Sequence, residues 1–91
     1  MARTLAIVKH TVNDFGAWQQ GYDGAQALRD SGGVTDAAVY QDPADPNEVT
    51  VLHWFGSVRD AEAFTGSAEL KAAMQQLGVA GPPRIELVVE A

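Results

Sequence analysis

Ninety-one residues, 46% hydrophobic and 20% charged, suffice for one globular domain over residues 1–91 and are too apolar for a disordered chain. Twelve acidic residues against six basic ones give a net charge of −6, which leaves little material for the basic surface that a nucleic-acid backbone requires. Cysteine is absent, which excludes disulfide and thiolate chemistry.

The run Leu5–Val8 is too short for the apolar part of a secretion leader, and only Arg3 precedes it. No stretch approaches a membrane span. A cytoplasmic location is expected, with neither nucleic acid nor membrane as a partner.

Thr4 to His10 is rich in strand formers and reads as a first buried strand. Asn13-Asp14 can cap a helix that runs to about Asp30. Along it Phe15, Trp18, Tyr22, Ala25 and Arg29 share an arc of roughly 80°. Gly16, Gly21 and Gly24 each weaken that helix by about 1 kcal/mol relative to alanine, so it depends on packing through its aromatic stripe. Gly32-Gly33 ends it.

Val34 to Gln41 reads as a second strand. The segment 42–47 is dense in turn formers and predicts a hairpin loop. Val49 to Phe55 is a third strand, with Val49, Val51, His53 and Phe55 on one face and Thr50, Leu52 and Trp54 on the other. Ser57 caps the next helix. There Ala61 and Phe64 point nearly opposite to Leu70, Ala73, Met74 and Leu77, so the helical phase predicts a break at Gly66-Ser67, with Ser67 capping a second piece that ends before Gly78. Gly81-Pro82-Pro83 forces extended chain, and Arg84 to Glu90 is the last strand.

The order βαββαβ is that of an α+β, ferredoxin-like domain, one antiparallel sheet with the helices on one face. Its third strand is apolar on both faces, and the helices can cover only one. A second copy of the chain, packed sheet against sheet, is the expected cover.

The segments 10–18 (HTVNDFGAW), 42–49 (DPADPNEV), 61–64 (AEAF) and 78–83 (GVAGPP) together resemble small proteins of the antibiotic biosynthesis monooxygenase group and related cyclases. The resemblance spans almost the whole chain. It implies a dimeric α+β barrel with one cavity per subunit between sheet and helices. It also implies relatives that include cofactor-independent oxygenases of aromatic polyketides, haem-degrading enzymes, and isomerases or cyclases.

His10 and His53 are the only histidines, the side chains that titrate near neutrality. His10 is the candidate general base, with Tyr22 a hydrogen-bond handle for the substrate. His53 alternates with valines and phenylalanine, which also suits packing at the dimer face. Trp18 and Trp54 could form an aromatic wall, and Phe64 and Met74 complete the candidate ligand contacts. Arg29 falls inside the apolar arc; it can fix an anionic ligand group or cap the last helical turn. Two histidines without a carboxylate at ligand spacing predict no metal site, and no cofactor is expected.

Two functions follow. One is a cofactor-independent monooxygenase or cyclase of a small aromatic, polyketide-like substrate. The other is a non-catalytic homodimer that binds a small hydrophobic molecule or a protein. Polar groups converging in the cavity favour the first; a cavity filled by Trp18, Phe64 and Met74 favours the second.

Overall fold

The computed structural model describes residues 2–91. Four strands form one antiparallel sheet: β1 (Thr4–Val12), β2 (Val34–Gln41), β3 (Glu48–Phe55) and β4 (Val79–Val89), in the order β2-β3-β1-β4. Helices α1 (Phe15–Gly24) and α2 (Gln26–Ser31) join β1 to β2, and α3 (Val58–Thr65) and α4 (Ala68–Gln76) join β3 to β4. This is the expected ferredoxin-like α+β fold.

Local chemistry accounts for the joints. The Asp14 carboxylate accepts the Ala17 amide at 2.9 Å and starts α1. The Asn47 side-chain carbonyl accepts the Phe15 amide at 3.0 Å, which ties the β2–β3 loop to that helix end. Within the loop, Asp42 accepts from the amides of Ala44 and Asp45, and Asp45 accepts from that of Asn47. Ser57 and Ser67 cap α3 and α4 by accepting the amides of Asp60 and Leu70. The phase break at Gly66-Ser67 is therefore real, and each helical piece turns its own apolar residues inward.

Three boundaries differ from the sequence expectation. The first helix is not continuous to Asp30: it breaks after Gly24, where Ala25 leaves helical geometry and its amide bonds the Tyr22 carbonyl. Glycine is a weak helix former, and the Arg29 guanidinium reinforces the break by donating to the same carbonyl at 2.6 Å. β1 continues to Val12. β4 begins at Val79 rather than Arg84, and Gly81-Pro82-Pro83 forms an irregularity inside it, between the pairs Lys9–Arg84 and Thr11–Ala80. Prolines fit there because β4 is an edge strand.

The core lies between sheet and helices. Val8, Val12, Trp18, Val49 and Val51 form one buried cluster, and Ala6, Phe55, Ala61 and Phe64 another. On the opposite face Leu5, Ile7, Leu52 and Trp54 are only half-buried, and Tyr40 and Val88 are 60% and 43% exposed. Among the described residues no helix is long and apolar enough to cross a membrane.

Candidate functional site

Strand alternation puts His10 on β1 and His53 on β3 on the helix-facing side of the sheet. Both are buried, at 7% and 5% exposure. The α1 stripe lies over them. His10 meets Trp18 edge to face, with centroids 5.6 Å apart. Trp18 stacks on Tyr22 at 4.9 Å, and the Tyr22 ring lies nearly parallel to His53 at 6.0 Å. The Tyr22 hydroxyl hydrogen-bonds His53 Nε2 at 2.8 Å. Phe64 from α3 meets the His53 ring edge to face at 5.7 Å. A chain of rings thus crosses the interior from His10 to Phe64.

Arg29, 6% exposed, closes this row from α2. Its guanidinium carbon lies 3.9 Å from the Tyr22 ring centroid, a cation–π distance. One nitrogen donates to the Tyr22 carbonyl, and another donates to the Gln26 side chain at 3.1 Å. The arginine therefore caps the end of α1 and braces Tyr22 from inside the protein.

Burial sets the protonation states. Desolvation, helped by the nearby Arg29 charge, pushes the His53 pKa down to about 4. Desolvation also lowers His10, against the opposing pull of its own backbone and of the Glu48 charge. It raises Tyr22, with the Arg29 charge acting the other way. At neutral pH both imidazoles are uncharged and the phenol keeps its proton.

One atom stands out. His10 Nδ1 is buried without a hydrogen-bond partner. Unpaired buried polar atoms are rare, because desolvation without a replacement bond costs about 1–3 kcal/mol. On β3 His10 pairs with Val49, but the β4 irregularity sits where it would otherwise find a partner on its other side. Bulges concentrate beside functional sites.

His10, Trp18, Tyr22, Arg29, His53 and Met74 all line one cavity of about 40 Å³, as does Phe64. That volume holds ordered water but not a drug-sized ring system, for which roughly 300 Å³ or more is usual. Trp54 is not among these residues. It lies on the other sheet face, where the Arg3 guanidinium sits 5.6 Å from its ring centroid. His53 faces the helices rather than the outer sheet face, because it shares its side of β3 with the buried Phe55 and Val51. The Tyr22–His53 bond and the wall formed by Leu70, Ala73 and Leu77 are features that residue-by-residue reading missed. Their only sequence signals are the periods of two in β3 and three to four in α4.

The fold and this cavity define an α+β domain with a ring-lined interior site. Among solved structures, a Bordetella bronchiseptica protein assigned as an antibiotic biosynthesis monooxygenase superposes with a TM-score of 0.84 over 100% of this chain and 99% of its own, at 16% identity. The Streptomyces coelicolor monooxygenase ActVA-Orf6, solved with nanaomycin D, gives 0.70 over 97% and 87% at 21% identity. SnoaB, a cofactor-independent oxygenase from Streptomyces nogalater, gives 0.72 over 100% and 93% at 7% identity. The chain therefore has the antibiotic biosynthesis monooxygenase-like fold. No family model and no curated protein matches its sequence.

Proposed function

We propose that this protein is a cofactor-independent monooxygenase of a small aromatic, polyketide-like molecule, with His10 as its general base. The observation that carries this reading is the unpartnered, buried Nδ1 of a neutral His10 at the cavity wall. In the tautomer protonated on Nε2, a lone pair held there, out of water, would be suited to taking a proton from a phenol or an activated methylene. Tyr22 and His53 would hold the substrate oxygen, and Trp18 would pack on its ring.

Deprotonation yields a carbanion that can pass one electron to dioxygen. The resulting radicals combine to a hydroperoxide, which loses water to leave a carbonyl. The sum is CH2 + O2 → C=O + H2O, with both electrons for the reduced oxygen atom coming from the substrate. The same first step also serves a cyclisation. The named oxygenases that share this fold favour oxygenation.

The non-catalytic reading has one observation on its side: the cavity is about 40 Å³ and already crowded by Trp18, Phe64 and Met74. Oxygen uptake with a panel of anthrones and naphthols separates the two. We expect consumption by the native protein and at least a hundred-fold loss in His10→Gln, the usual contribution of a positioned base being about 10²–10⁴. Uptake unchanged in that variant removes His10 from the mechanism, and no uptake with any of the panel favours the binding protein.

The same reading takes the protein as a homodimer. A second copy covers the half-buried face formed by Leu5, Ile7, Leu52 and Trp54. Sedimentation at micromolar concentration tests this, and a lone subunit would overturn it.

A further inference from the structure

Beside the inner cavity lies a larger space. A groove of about 380 Å³ runs between α4 and β4, lined by Lys71, Gln75, Val79, Pro83 and Ile85 among others. The cavity and the groove share Thr65, Leu70 and Met74 in their walls. Around α4, Ala73 and Leu77 turn to the cavity, Lys71 and Gln75 turn to the groove, and Leu70 and Met74 stand between the two. Nothing on α4 is fully buried. The helix is a thin partition, held at its ends by the Ser67 cap and by the amide of Asn13 donating to the Gly78 carbonyl at 2.9 Å.

From this arrangement we infer that the groove is the distal half of the ligand site and that Leu70 and Met74 form a movable gate between the two halves. The inference rests on the proposed function above. The inner cavity by itself is too small for a drug-sized ring system, whereas the groove falls within the range of small-molecule sites. Rotation of two flexible apolar side chains on a loosely packed helix joins them. The irregular stretch Gly81-Pro82-Pro83, which stands opposite His10 on the neighbouring strand, lines the groove as well, so its floor reaches the register of the proposed base.

The lining also fixes the ligand's chemistry. The groove is mostly apolar, and Lys71 is its one cationic lining residue. The ion pair found among the described residues joins Arg84 to Glu86, which leaves the Lys71 ammonium without a carboxylate. On a chain of net charge −6, an unpaired cation at the rim of an apolar groove selects an anion. The ligand class is a flat, apolar polycycle with an acidic C–H or phenol at the His10 end and a carboxylate at the Lys71 end.

Anthracene-2-carboxylic acid and the neutral 2-(hydroxymethyl)anthracene test this. In a Trp54→Phe background Trp18 is the sole tryptophan, and energy transfer from it to anthracene reports binding. We expect Lys71→Gln to weaken the acid about five-fold, as loss of one partly exposed ion pair does, and to leave the alcohol unchanged. Lys71→Arg should restore the acid. Equal effects on acid and alcohol, or no effect on either, overturn the anion-selecting groove. Met74→Phe, which thickens the gate, should slow the onset of transfer in stopped flow; an unchanged rate overturns the gate. The failures are separable. His10-dependent oxygen uptake with a carboxylated anthrone whose KM is indifferent to Lys71 defeats this inference alone. Lys71-dependent binding without His10-dependent uptake defeats the oxygenase reading alone.

Discussion

The Tyr22 hydroxyl and His53 Nε2 are 2.8 Å apart, joining α1 to the sheet by a hydrogen bond between a half-buried and a buried side chain 31 residues apart in the chain. In the tautomer protonated on Nδ1, the phenol donates and the imidazole accepts. Removing the hydroxyl while keeping the ring isolates that bond. Tyr22→Phe should preserve the Trp18 stack and the Arg29 contact but leave Nε2 without a partner. The expected cost is about 1–3 kcal/mol in urea unfolding. A double-mutant cycle with His53→Leu should show a positive coupling, and zero coupling would mean that the bond contributes nothing to folding.

The same pair makes stability depend on pH. The His53 pKa is about 4 in the folded protein against the ordinary 6.5 of a free imidazole side chain. Between those values the unfolded chain binds the extra proton, so stability rises with pH through this window. It is fully present above pH 6.5, falls as the pH drops toward 4, and levels off below. The shift corresponds to about 3 kcal/mol, and His10 acts in the same direction. Urea unfolding in steps from pH 4 to 8 should trace this loss, and His53→Gln should flatten most of it. A profile flat in the native protein would place His53 in contact with water.

Arg29 is expected to act on His53 through charge and on Tyr22 through position. Arg29→Met keeps a long apolar stem but removes the cation. The His53 pKa should rise, because the arginine charge lowers it in the native protein. Imidazole proton shifts followed by NMR during titration give the readout. A downward movement would contradict the assigned contact.

Two glycines mark where helices approach too closely for a side chain. A Cβ on Gly32 would overlap the Phe64 ring, whose Cε1 would lie 2.7 Å away. Phe64 is buried and cannot turn aside, so Gly32→Ala should cost about 1–3 kcal/mol and press the ring against His53. A Cβ on Gly21 meets instead the tip of the half-buried Leu77, which can rotate, while alanine improves the helix by up to about 1 kcal/mol. Gly21→Ala should therefore lie near neutral. Thermal unfolding of the two variants distinguishes a rigid neighbour from a yielding one.

On the outer sheet face, Leu52→Asp places a charge among Leu5, Ile7 and Trp54 without touching the helix-facing core. If a second copy covers this face, the variant should sediment as a single subunit and lose stability that depends on protein concentration. An unchanged sedimentation coefficient would locate the contact elsewhere.

The sequence by itself determined the element order, the capping residues and the face of each strand. Caps, turns and alternation are local chemistry: Asp14, Ser57, Ser67 and the 42–47 loop carry their own instructions. The phase conflict between Phe64 and Met74 announced the break between α3 and α4 in the same way. Tertiary structure decided the rest. The break after Gly24 was legible only in part, since helix propensity is a weak preference and the Arg29 bond that fixes it closes through space. Strand alternation by itself leaves Trp54 outside, but His53 and Tyr22 meet because the register of β3 against β1 and the angle of α1 over the sheet set which side chains converge. Those are distances between residues far apart in the chain, and periodicity, which reports the direction of a side chain from its own backbone, carries no measure of them.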